Sequence, residues 1–260
     1  MTNNTVETKN HNEVFSEIIQ HFPNEILDLF FKGYFGVVDF SSSQMISTNF
    51  SSRESEKDIE RKLPSIIQTA VIKQPGFKTT ATGDVLFLWE PYSDKWSVEE
   101  QKITFNDQMY MYYVGAGYHY GATTMRIPIA LFYKDAPKDI ETFQEEKGLG
   151  YFNFYKINLH DLDWKAYQQE TNPVAAAFLG LMDMKEEEKV LAKVAAHEML
   201  LNFHKEHNNL QKSRVILKAI QTFFTLNDAQ FKQYTSRCAE VFSTEEHLNI
   251  MQMLMEQDAE

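Results

Sequence analysis

SIIQTAVIK (residues 65–73) and DVLFLW (residues 84–89) decide how this chain reads. Both runs are rich in β-branched or aromatic residues and they flank QPGFKTTATG, so they predict two strands joined as a hairpin. Pro91 follows Glu90 and is expected to end the second strand. Downstream, Val98, Phe105, Met109, Tyr112 and Ala116 recur at steps of three or four residues, or their multiples, which predicts a helix. IPIALFY (127–133) and YFNFYKINL (151–159) read as two further strands. Upstream, Phe15, Ile18, Ile19, Phe22, Ile26, Leu27 and Phe30 follow helical spacing between Asn12 and Lys32, with Pro23 ending one helix and opening the next. Gly33 and Gly36 punctuate the chain before the short apolar run Val37-Val38-Asp39-Phe40, and the Ser-rich segment 41–58 reads as loop or weak strand. From about Asp161 the pattern is helical to the end, with Pro173 opening one helix and Met251, Met253 and Met255 as adaptable packing residues. The order predicts an α/β fold: a mixed sheet flanked by helices, with an all-helical C-terminal region. The expected division is a flexible N-terminus (1–11), a core (12–170) and a helical region (171–260).

Composition bounds the function. The 260 residues are 43% hydrophobic and 24% charged, which is ordinary globular chemistry. Twenty-five Lys and Arg against 37 Asp and Glu leave a net charge of −12, which disfavours a nonspecific nucleic-acid coat. Residues 1–150 carry 14 basic and 21 acidic side chains, and residues 151–260 carry 11 and 16, so neither half is a hidden basic module. Arg61-Lys62 is the one adjacent basic pair. A single cysteine, Cys238, excludes a disulfide framework and any Cys-rich zinc site. The polar start MTNNTVETKNHNE lacks the apolar core of a signal peptide, and the longest apolar run, Pro173 to Met182, falls short of the ~20 residues of a membrane helix. The expectation is a cytoplasmic protein with no membrane partner.

Several motifs approach known chemistry and stop short. GAGYHYG (115–121) resembles a dinucleotide loop but has one residue too many and follows a helix pattern, not a strand. His197-Glu198 begins like a zinc-protease helix, yet Leu201 stands where the second histidine belongs. His197, His204 and His207 could share a helix face, with charged surface histidines as the simpler reading. Cys238 sits in a helical pattern as a structural residue. No Gly-x-Ser-x-Gly elbow is present. Asp84 with Glu100-Gln101-Lys102 matches an Asp…Glu-x-Lys nuclease pattern by eye, in which two carboxylates hold a hard cation and a lysine steers water. Glu100 and Lys102 open a helical pattern, however, where residues two apart diverge. Asp84 and Glu90 lie six residues apart along one strand, roughly 20 Å, too far to share an ion.

Two longer stretches carry a family resemblance. INLHDLDWKAYQQETNPVAAAFLGLM (157–182) resembles the segment that follows the nuclease core in the Rpn family, the recombination-promoting nucleases, also described as transposase-like, with a PD-(D/E)XK (restriction-endonuclease-like) fold. HNEVFSEIIQHFPNEILDLFFKGYFGVVDFSS (11–42) resembles the opening helices and first strand of that family. LFLWEPYS resembles its catalytic strand, and FNDQMYMYYV its following helix. The resemblance covers most of residues 12–200.

It implies a fold kept and a site largely lost. Glu90, with Pro91, matches the family's catalytic glutamate, and the resemblance implies Glu90 as the Mg²⁺ ligand. Its companion Gln is Tyr92, the strand-opening Asp is replaced by Ser65 (or Pro64), the early acidic residue falls at Thr48 or Asn49, and the Arg of the following helix is Gln108. A shifted alignment of residues 41–65 would leave Asp58 or Glu60 as the missing acid. One carboxylate rarely holds a divalent ion at a cleavage site, because the charge of ion and phosphate goes uncompensated. Two expectations follow. The first is a catalytically degenerate nuclease-fold protein with no cofactor, which binds a protein partner with a basic surface in mobile-element, phage-defence or counter-defence biology. Its aromatic run Tyr110–Tyr120 would supply anchors, with core packing as the equal alternative. The second is an active Mg²⁺-dependent DNA endonuclease using Glu90. A homodimer through Phe223, Phe224, Phe231, Phe242 and Leu248 remains open beside either.

Overall fold

β4 (Val85–Tyr92) is apolar on both faces, and every described side chain along it is buried, as a strand covered from both sides demands. In this computed structural model it lies near the centre of a mixed sheet. The described residues are 3–32, 37–41, 43–46, 66–73, 85–92, 105–121, 124–133, 143–144, 151–152, 154–242 and 252. In chain order the elements are α1 (Asn3–His21), α2 (Pro23–Phe31), β1 (Val37–Asp39), β2 (Met45–Ile46), β3 (Ile66–Lys73) and β4. They continue with α3 (Phe105–Tyr120), β5 (Met125–Phe132), β6 (Phe143–Gln144), β7 (Tyr151–Phe152) and β8 (Tyr155–Asn158). Last come α4 (Pro173–Phe178), α5 (Lys189–His207), α6 (Leu210–Phe223) and α7 (Asp228–Val241), with short 3-10 turns between β8 and α5.

The chain divides into two compact units, Phe30–Asn158 and Met1–Leu29 with Leu159–Glu260. The sheet unit has strand order β1-β3-β4-β5-β8, with β2 also paired to β3. β1, β3 and β4 are successively antiparallel, and the crossover through α3 makes β5 parallel to β4. β8 then joins β5 in parallel. Alternation sorts the side chains. Phe87 and Trp89 stack on one face, where Phe40 meets Phe87. Leu86 and Leu88 turn to the other face, packing with Ile67, Ala116 and Tyr120, while Ala130 and Phe132 of β5 pack under Phe105, Met109 and Tyr112 of α3.

In the helical unit, α1 buries Val14, Phe15, Ile18 and Ile19 at helical spacing, Phe22 is buried just after it, and Phe15 meets both Phe178 of α4 and Phe223 of α6. All six residues of α4 are buried. α6 turns Val215, Ile216, Ala219, Ile220 and Phe223 inward.

Four sequence expectations are corrected here. The compact units do not follow the 12–170 and 171–260 division, because the first helices build one core with the last four. Residues 3–11, expected as part of a flexible lead, belong to α1. Pro91 does not end β4: the described β3 pairing stops at Trp89, and Pro91 is paired with Leu131 of β5. The single run 151–159 is split, because Tyr151–Phe152 pairs with β6 and only Tyr155–Asn158 reaches β5. The predicted α3 begins at Phe105, and Val98 lies outside the described residues.

Candidate functional site

Glu90 lies near the C-terminal end of β4, in register with Ala130 of β5. Alternation from Leu86 and Leu88 turns it towards α3, the face on which Ala130 packs against Tyr112. Glu90 is 4% exposed. Burial, and after it the negative charge of Glu90, push the Tyr112 phenol well above its ordinary value, so Tyr112 is a neutral group beside the carboxylate. Tyr112 itself packs in an apolar layer with Phe105, Met109, Ala130 and Phe132.

A hard divalent cation needs several oxygen ligands and enough negative charge to offset its own. Among the described residues no group of three or more His, Cys, Asp or Glu side chains converges on one point. Ser65, Pro64, Thr48, Asn49, Asp58 and Glu60 lie outside the described residues, as do Asp84, Glu100 and Lys102. Tyr92 is placed by its backbone opposite Phe132, and Gln108 belongs to α3, but their side chains are not described.

α3 carries the second feature. Met109, Tyr112 and Ala116 face the sheet, while Tyr110, Met111, Val114 and Tyr118 form an exposed stripe, with Tyr118 84% exposed. The aromatic run thus divides between core and surface. Gly115 and Gly117 are helical, so GAGYHYG is no phosphate-cradling loop; Gly121, at φ 102°, ends the helix in a conformation that favours glycine.

The histidines are a correction. His197 and His204 are buried, not surface groups, and only His207 of the three is exposed. His197 Nδ1 lies 2.9 Å from the Lys193 carbonyl, and His204 Nδ1 lies 2.9 Å from Ser213 Oγ, whose hydroxyl donates to the Asn209 carbonyl at 2.8 Å. Both rings are engaged by their own helical scaffold. Helical spacing alone could not separate these inward positions from His207, since α5 is packed on several sides. Of the apolar residues considered for a dimer, Phe223, Phe224 and Phe242 are buried within their own unit; Phe231 is exposed, and Leu248 lies outside the described residues.

No family model, curated protein or solved structure matches the chain. Among the described residues no helix is long and apolar enough to cross a membrane.

Proposed function

We propose that this chain is a PD-(D/E)XK nuclease-fold protein, similar to the Rpn recombination-promoting nucleases, that has lost cleavage and acts by binding a protein partner. The setting would be mobile-element, phage-defence or counter-defence biology. The helix–strand–strand–strand–helix–strand order of α2, β1, β3, β4, α3 and β5, with three antiparallel strands and one parallel addition, supports the fold reading. One observation carries the loss of cleavage. Glu90 is 4% exposed, near enough to buried Tyr112 for its charge to act on the phenol, whereas a carboxylate that binds a hydrated cation and a phosphodiester must meet solvent. The exposed stripe Tyr110, Met111, Val114 and Tyr118 supports partner binding, since aromatic and Met side chains are favoured interface anchors.

The test is plasmid cleavage by the wild-type chain and by Glu90→Ala, each with Mg²⁺ and with Mn²⁺. The reading expects no cleavage above background from either protein. Cleavage by the wild type that vanishes in Glu90→Ala would overturn it.

The second reading, an active Mg²⁺-dependent endonuclease using Glu90, is favoured by the placement of charge. The helical unit holds 11 basic and 21 acidic residues, but the sheet unit holds 14 and 16. The net acidity thus belongs mainly to the helical unit, and the sheet unit's own charge repels DNA weakly.

A further inference from the structure

The helical unit holds an unusual set of groups between α5 and α7. His197 is 2% exposed, yet it is a basic side chain. With Nδ1 spent on the Lys193 carbonyl, it meets α7 through the Tyr234 hydroxyl, 3.4 Å from its ring nitrogens, with ring centroids 5.6 Å apart. Lys193, one turn earlier, reaches towards the Phe224 carbonyl at 3.5 Å and lies 5.3 Å from the centre of the Tyr234 ring. Tyr234 and Cys238 of α7 pack against Val194, Leu201 and Phe242. The groups acting on His197 are thus Lys193 from its own helix and Tyr234, with Cys238 behind it, from α7. No described carboxylate contributes to its field.

A proton added to this imidazole has nowhere favourable to go. It would place a buried cation beside a second, half-buried cation, Lys193, with no described carboxylate acting on either. The other side of the contact is slight. Most of α7 is exposed, and it holds to α5 by one stripe of side chains, with Gln230 Nε2 bonded to the Glu186 carbonyl at 3.0 Å near its start. The cheapest relief is for α7 to lift, since that rehydrates His197 without opening the core formed by α1, α4 and α6.

We propose that α7 is a proton-operated latch: protonation of His197 releases it from α5 and uncovers the apolar strip of Val194 and Leu201. Burial, aided by Lys193, lowers the His197 pKa to about 4 in the closed state, against 6.5 when free in water. Linkage between these two values makes the open-to-closed ratio rise about twenty-fold from pH 7 to pH 5.

Cys238, the one cysteine of the chain, is a built-in reporter because it lies half-buried under the same contact. The full-length chain is labelled with 4,4′-dithiodipyridine between pH 7 and pH 5, and the rate is divided by that of a free cysteine peptide at each pH. The corrected rate is expected to rise about twenty-fold for the wild type and to stay flat for His197→Gln, while tryptophan fluorescence keeps its folded signal. A flat wild-type profile would overturn the latch. So would an equal rise in His197→Gln, or a rise that coincides with loss of the folded fluorescence. Should His197→Gln fail to fold, ¹⁵N signals of the wild-type imidazole decide: exchange between a neutral buried ring and a protonated ring, in step with the labelling, is expected. A ring that stays neutral while labelling rises would sink the idea.

Discussion

Arg126 of β5 lies across the backbone of α3 at Gly117, so closely that a Cβ on Gly117 would stand 1.8 Å from Arg126 Nη1. The same nitrogen donates to the Tyr113 carbonyl at 2.7 Å, and the guanidinium sits 4.0 Å from the centre of the Tyr113 ring. Gly117 is therefore the gap through which a strand side chain grips the helix above it.

Gly117→Ala is expected to destabilise the chain. Helix propensity favours Ala by about 1 kcal/mol, but displacing Arg126 forfeits a charge-assisted hydrogen bond of about 1.5–3 kcal/mol. The net loss is about 1 kcal/mol. In an Arg126→Leu background the sign should reverse, because only the propensity gain remains. Urea unfolding of the four proteins checks this, and a stabilised single variant would refute it.

Asn172 joins two distant parts of the helical unit. Its Oδ1 accepts from the Val174 N–H at 3.0 Å as the cap of α4, and its Nδ2 donates to the Glu25 carbonyl at 2.8 Å. Asn172→Ala removes both bonds and is expected to cost about 1–3 kcal/mol in thermal or urea unfolding. A loss below about 0.5 kcal/mol, the size of an ordinary surface change, would show the cap to be idle.

Two tyrosines of α3 should separate by stability. Tyr112 is buried against Phe105 and Ala130, so Tyr112→Ala should cost about 3–5 kcal/mol, whereas exposed Tyr118→Ala should stay within about 0.5 kcal/mol. Equal midpoints in a thermal melt would contradict this division of the helix.

His197 makes stability fall with acid. Its folded pKa, about 4, is below the 6.5 of the free imidazole, so the unfolded or opened state binds the proton first. The contribution is fully present above pH 6.5 and is lost as pH falls through 6.5 towards 4, to a limit of about 3 kcal/mol. His197→Gln should remove that part of the slope of unfolding free energy against pH. An unchanged slope between pH 7 and pH 5 would count against it.

The sheet was legible in part. The segments SIIQTAVIK and DVLFLW carry enough β-branched and aromatic residues to predict β3 and β4, and the 105–116 spacing places α3, because local periodicity records which face is covered. Pro91 misled, since local chemistry sees a missing N–H but not that the described β3 ladder stops three residues short of the strand's end. Glu90 was visible as a residue type next to a proline, but its burial follows from a crossover no local window contains.

By itself the sequence determined most of the element types and the acidic balance, because these depend on residue identity and near-neighbour spacing. Tertiary structure alone decided that α1 builds one unit with α4 and α6, that His197 and His204 are inside, and that Arg126 closes over Gly117. Each joins elements far apart in the chain. Burial is a property of what the whole chain brings against a side chain, and no periodicity within one helix specifies it.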